Sequence, residues 1–232
     1  MGRGIAAHLA NARLEVELLD IVPPNPDEDV DTSDPAFRNR LARQAIKQMP
    51  DDKPLSAVYS DRNLDRIRPG NVDDHLERLE SVDLVIEAVP EDMSIKRDTF
   101  DKVERHVGDE AIIASNTSGL SIEGMLEGRS DSFQQRFVVT HFFNPVRVMK
   151  LLEIVPGPQT DPEVVDTIEA FGRDTLGKGI VHAKDTTNFI ANRIGVHGMM
   201  TIIHKMDDYD MSIEDVDQIF GRPMARPKSA VF

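Results

Sequence analysis

Met1-Gly2-Arg3-Gly4-Ile5-Ala6-Ala7-His8-Leu9 runs a glycine-rich turn straight into an alanine-rich helix. The next apolar stretch, residues 14–21 (Leu-Glu-Val-Glu-Leu-Leu-Asp-Ile), reads as a short strand with Asp20 at its end. A glycine at the mouth of such a helix permits close packing of helix on strand. An acidic residue at the end of the following strand suits the hydroxyls of a ribose. Gly2 and Asp20 fit those two positions of a dinucleotide-binding fingerprint; the plainer alternative is an alanine-rich helix with a chance glycine. The strand and the first two glycines of the fingerprint do not appear ahead of Met1, so the sequence reads as truncated at this end.

The alternation continues outward from this start. Residues 23–35 are a Pro- and Asp-rich loop, with the acidic run Asn25-Pro26-Asp27-Glu28-Asp29-Val30-Asp31 at its centre; 36–49 form a helix and 50–81 a polar, turn-rich segment. Strands are expected at 82–88, 111–115, 136–141, 149–155 and 179–183, and helices at 93–106, 121–127 and 161–175. Short apolar strands separated by amphipathic helices indicate an α/β fold, a largely parallel sheet covered on both faces. After Lys184-Asp185 the strand signal stops. Residues 189–206 have helical spacing, and 212–220 begin another helix with Ser212 as N-cap and Asp215 at its third position. The expected division is 1–184 for the α/β domain and 185–232 for the beginning of an all-helical second domain, with residues 221–232 reading as mid-domain sequence.

Composition narrows the function classes. The 232 residues contain no cysteine, which excludes disulfides, thiol catalysis and cysteine-bound zinc. No metal site is expected. A net charge of −14 argues against general nucleic-acid binding, where a basic stripe is the footprint. No apolar run approaches the length of a membrane span and no basic-then-apolar leader opens the chain, so a cytoplasmic protein is the expectation.

Chemistry concentrates in Thr140-His141-Phe142-Phe143-Asn144-Pro145 and in Glu153. Histidine titrates near neutral pH and can take a proton from an alcohol and return it. A carboxylate on its other ring nitrogen would set the tautomer and stabilise the imidazolium. Two adjacent antiparallel strands are a simple way to bring residues twelve positions apart together, and such a pair is expected toward one edge of a mixed sheet; contact of His141 with Glu153 is not itself written in the sequence. A purely structural histidine is the alternative. Farther upstream, Arg40, Arg43 and Lys47 share one face of the 36–49 helix. They form either a ridge for phosphates of a polyanionic substrate or a solvated basic face beside the acidic loop.

The ordered set Met1-Gly2-Arg3-Gly4-Ile5-Ala6, Ile86-Glu87-Ala88-Val89-Pro90-Glu91, Ser115-Asn116-Thr117-Ser118, His141-Phe142-Phe143-Asn144-Pro145, Asn188-Phe189-Ile190-Ala191-Asn192-Arg193 and Arg226-Pro227-Lys228-Ser229 resembles the 3-hydroxyacyl-CoA dehydrogenase family. These are NAD-dependent enzymes of fatty-acid β-oxidation, and the resemblance is nearest to the long members fused to an enoyl-CoA hydratase module. It implies a Rossmann-like, doubly wound sheet that lacks its first strand here, followed by part of the helical domain. It also implies NAD as cofactor, a 3-hydroxyacyl-CoA substrate, and a homodimer or multifunctional complex for the parent protein. By motif, His141 is the expected base and Glu153 its partner. Ser118 and Asn192 are expected to hold the reacting group, and Gly2, Asp20, Glu91, Lys96, Ser118 and Asn144 fall on cofactor positions. CoA contacts are expected in the region of Arg40, Arg43 and Lys47. Another NAD-linked β-hydroxyacid dehydrogenase, or an inactive fragment of such an enzyme, are the alternatives.

Overall fold

The computed structural model describes residues 1–24 and 30–224; most of the acidic run and the Arg226–Ser229 motif lie outside them. The chain divides into two compact units, Met1–Thr186 and Thr187–Phe232.

In the first unit, helix α1 (Gly2–Asn11) leads into strand β1 (Val16–Asp20). Helices α2 (Pro35–Arg38) and α3 (Arg40–Gln48) follow, then strands β2 (Ile67–Asn71) and β3 (Leu84–Glu87) and helix α4 (Met93–Glu104). Next come β4 (Ile112–Ser115), α5 (Ile122–Leu126), α6 (Asp131–Gln135) and β5 (Phe137–Phe142). The unit closes with β6 (Leu151–Pro156), α7 (Pro162–Ala170) and β7 (Gly179–His182).

The strands form a parallel pair, β1–β2, and a five-stranded sheet in the order β3-β4-β5-β6-β7. Every pairing in the larger sheet is parallel except β5 with β6. Helix α1 bridges the two sheets. Ala6, Ala7 and Ala10 pack with Val16, Leu18 and Ile67 on one side, while Ile5 and Leu9 join Ile86, Phe142 and Leu152 on the other. Among the described residues β1 and β3 each have a single strand partner, so each leaves one edge open. Behind the larger sheet, Phe100, Phe133 and Phe137 are fully buried and meet edge to face at 5.9 and 5.4 Å for the two pairs made by Phe100.

Three local differences from the sequence reading have physical causes. The helix expected over 36–49 is broken at Asn39, whose buried side chain accepts a hydrogen bond from Asn71 Nδ2 at 2.8 Å. Strand β2 lies in the segment read as turns, because Arg68-Pro69-Gly70 has no alternating apolar pattern. Proline is tolerated there since β2 is an edge strand. The helix expected over 161–175 ends at Ala170 and widens into one π-helical turn, Phe171–Thr175. Gly172 sits against the sheet in that turn, where an added Cβ would stand 2.8 Å from Ile180 Cδ1.

Among its described residues the second unit holds α8 (Ala191–Tyr209), α9 (Ile213–Phe220) and a short 3-10 turn, Arg222–Met224. A capping box opens α9: Ser212 accepts from Asp215 N while Asp215 accepts from Ser212 N. No helix among the described residues is long and apolar enough to cross a membrane.

Candidate active site

His141 and Glu153 are direct cross-strand partners on antiparallel β5 and β6. The ring Nδ1 lies 2.7 Å from Glu153 Oε2, and both residues are buried. A carboxylate only accepts, so in the neutral ring the proton sits on Nδ1 and Nε2 is the nitrogen with the lone pair a base requires. The ring of Phe143 lies 4.4 Å from the imidazole, centroid to centroid, and restricts it further. Direct pairing also follows from parity. Register sets His141 against Glu153, and a one-residue slip would send the carboxylate to the opposite face of the sheet.

The loop after β4 is tied to this strand and to the end of β3. Asn116 Oδ1 accepts from Phe142 N at 2.9 Å. Glu91 accepts from Ser118 N at 2.8 Å, Ser118 Oγ at 3.1 Å and Thr117 Oγ1 at 2.6 Å. Burial pushes the Glu91 carboxyl up, but the bonds from Thr117 and Ser118 and the nearby Lys96 outweigh it and leave it below its ordinary value. Ser118 is thus held at the loop tip, half-buried.

Lys96, expected on the cofactor, is only 1% exposed. Its Nζ donates to Glu87 Oε1 at 2.8 Å and Oε2 at 3.0 Å and lies 3.4 Å from Glu91 Oε2. Glu87 also accepts from Ser115 Oγ at 2.5 Å and Val89 N at 2.7 Å. Its buried position was not foreseen from the sequence. The Ile86-Glu87-Ala88 run gives one signal for it, a carboxylate inside an otherwise apolar strand, which needs a partner to be buried.

Asp20 ends β1, and its Oδ1 accepts from Ile21 N at 2.8 Å. It opens into a cleft of about 400 Å³ shared with Arg3, Gly4, Gln44, Gln48 and Asn144. No side chain caps the start of α1. Gly2 lies near β3, where an added Cβ would meet Ala88 Cβ at 3.5 Å, an ordinary contact. The tighter approach is at Gly4, where a Cβ would come 3.2 Å from Val146 Cγ2. First-turn amides without a side-chain cap, a strand-end carboxylate and small residues at the start of α1 are compatible with the ribose side of a dinucleotide site.

Chain identity follows from this geometry together with direct similarity. The family described as 3-hydroxyacyl-CoA dehydrogenase, NAD binding domain, matches residues 1–186.

The chain belongs to the 3-hydroxyacyl-CoA dehydrogenase family.

Residues 1–186 correspond to the NAD-binding domain of that family and have a Rossmann-like fold. A probable 3-hydroxyacyl-CoA dehydrogenase of Bacillus subtilis is 46% identical over all of this chain, which spans 30% of that relative. One from Deinococcus radiodurans is 43% identical, again over the whole chain and 64% of the relative. The chain thus spans about a third to two thirds of the length of these relatives. The solved structure of (S)-3-hydroxybutyryl-CoA dehydrogenase PaaH1 from Ralstonia eutropha superposes with a TM-score of 0.73 at 30% identity, covering 98% of this chain and 75% of that one.

The expected basic ridge does not line the cleft. On α3 the cleft is lined by Leu41, Gln44, Ala45 and Gln48, while Arg40, Arg43 and Lys47 occupy the adjoining exposed face. Arg40 lies over the Phe37 ring, 5.2 Å from its centroid. Asn192 is in the first turn of α8, in the second unit. Lys178 is a further residue that sequence reasoning missed. Its buried ammonium donates to the carbonyls of Val146 and Met149 and so fixes the loop that leads from β5 to β6. Burial, with Lys150 nearby, lowers its pKa to about 8. Among the described residues there is no cluster of metal-ligating side chains.

Proposed function

We propose that this chain belongs to an enzyme that oxidises an L-3-hydroxyacyl-CoA to the 3-ketoacyl-CoA in fatty-acid oxidation, with His141 as general base. NAD+, when bound, supplies the hydride acceptor. His141 Nε2 takes the proton of the substrate hydroxyl as the carbon loses its hydride. Glu153 holds the imidazole in the productive tautomer and stabilises the imidazolium that results. Ser118 is held by Glu91 and offers a hydroxyl that can donate to the ketone or accept from the alcohol without changing charge. Lys96 acts at one remove in this reading, pinned by Glu87 and steadying Glu91. Asp20 and the first turn of α1 hold the adenosine end of the cofactor, and Asn144, in the same cleft, stands toward its reactive half. Asn192 and the ridge of Arg40, Arg43 and Lys47 are the parts proposed to meet the acyl group and CoA phosphates.

The buried 2.7 Å pair of His141 and Glu153 carries this reading, because a neutral histidine that donates from Nδ1 to a buried carboxylate presents Nε2 as its basic nitrogen. An assay of the protein that contains this chain, following NADH absorbance with 3-hydroxybutyryl-CoA as substrate, tests it. Turnover that disappears when His141 is replaced supports the proposal, and turnover that survives replacement refutes it.

A further inference from the structure

Among the described residues that line the cleft beside Asp20, Arg3 is the one basic side chain, and it is already ion-paired to Asp52, which lines the cleft as well. Arg3, in the first turn of α1, reaches across to the far end of α3. Its Nη1 donates to Gln48 Oε1 at 2.6 Å and its Nη2 to Asp52 Oδ1 at 2.5 Å. Gln48 is the last residue of α3, and Asp52 follows the short 3-10 turn Met49–Asp51. That turn is anchored: Met49 is fully buried and its carbonyl accepts from Ala57 N at 2.8 Å. Asp52 is therefore presented from a fixed segment to a flexible arginine.

We propose that Asp52 determines cofactor specificity by clasping Arg3, which keeps the guanidinium from a 2′-phosphate on the adenosine ribose. This rests on reading the cleft as the adenosine end of the NAD site. A 2′-phosphate entering there meets the Asp20 carboxylate and is repelled. An arginine able to swing onto it would offset that repulsion through two parallel, charge-assisted hydrogen bonds. With Arg3 clasped, both of its terminal nitrogens are engaged and its charge is neutralised by Asp52. Gln44 and Gln48, the polar residues on the α3 wall, carry no charge to replace it. Arg40, Arg43 and Lys47 lie on the adjoining face of α3 and do not line the cleft.

Stability does not account for the clasp. The two side chains remain 38% and 24% exposed, and an ion pair so open to water adds little to folding. Breaking it should leave the fold intact and release the arginine.

NADH and NADPH are titrated into the wild-type protein that contains this chain, into Asp52→Asn and into the double variant Arg3→Ala/Asp52→Asn, up to millimolar nucleotide, with cofactor fluorescence as readout. Asp52→Asn should shift the affinity ratio toward NADPH by about tenfold, the scale of one charge-assisted pair of hydrogen bonds, and the double variant should lose that gain. A ratio unchanged in Asp52→Asn overturns the proposal. A gain that persists without Arg3 overturns it too, since the effect would then be the removal of negative charge alone. Wild-type NADH binding reads the cofactor assignment separately. If NADH does not bind at all, the assignment of the cleft falls and the clasp with it; if NADH binds and the ratio does not move, only the clasp falls.

Discussion

The ammonium of Lys96 sits on both carboxylate oxygens of Glu87, at 2.8 and 3.0 Å, with each side chain sealed from solvent. The pair joins the end of β3 to the first turn of α4, and through Glu91 it reaches the loop that presents Ser118. Removing one partner leaves a buried charge uncompensated, which costs about 3–5 kcal/mol. Lys96→Met should therefore destabilise the domain by that amount in denaturant unfolding. Lys96→Met combined with Glu87→Gln should recover much of the loss, because the uncompensated charge is gone. A double variant no more stable than Lys96→Met would show that the pair does not act as a unit.

Replacing His141 by alanine should lower kcat about 10²- to 10⁴-fold in the protein that contains this chain, the range for a positioned general base, while NADH binding changes little. Glu153→Gln should lower kcat as well. Its NADH binding should change little, since the carboxylate acts through the ring and not on the cofactor. A kcat that stays in place would mean Glu153 serves only to fill the core.

Asp20 leads to a test of the ribose site that does not involve the clasp. Asp20→Ala together with Ile21→Arg removes a charge that repels a 2′-phosphate and adds one that attracts it. The preference in kcat/KM should move toward NADP by about tenfold or more. Unchanged preference would reduce Asp20 to a strand-end carboxylate.

His8 supplies a pH-dependent contribution to stability. Its Nε2 lies 3.0 Å from Leu176 O, and burial, reinforced by the positive charge of Lys178, lowers its pKa to about 4 from 6.5. The unfolded chain takes up this proton near pH 6.5 and the native chain only near 4, so the contribution is complete above the first value and lost as pH falls toward the second. It amounts to about 3 kcal/mol. The stability advantage of wild type over His8→Gln should shrink by that amount between pH 7 and pH 4 in urea unfolding. Parallel pH profiles for the two proteins would contradict it.

Local sequence signals determined much of the architecture: the helix at residues 2–11, the apolar strands around 84–87, 112–115 and 137–142, and the Ser212–Asp215 cap. Each depends on periodicity or capping within a few residues, which a chain displays before it folds. His141 and Glu153 were legible as candidates, since two adjacent antiparallel strands can bring residues twelve apart together, but the register that sets them opposite each other came from the structure. Tertiary structure decided the rest. Pro69 and Gly70 become strand only because β1 offers them an edge to pair with. The charge on Lys96 is tolerated inside the protein only because Glu87, from another element, is there to meet it. Arg3 and Asp52, 49 positions apart, meet only once α1 and α3 are placed beside β1. Whether a charged side chain is buried, paired or free to reach a ligand depends on desolvation and on partners brought from distant segments. Local sequence encodes the charge; packing sets its surroundings.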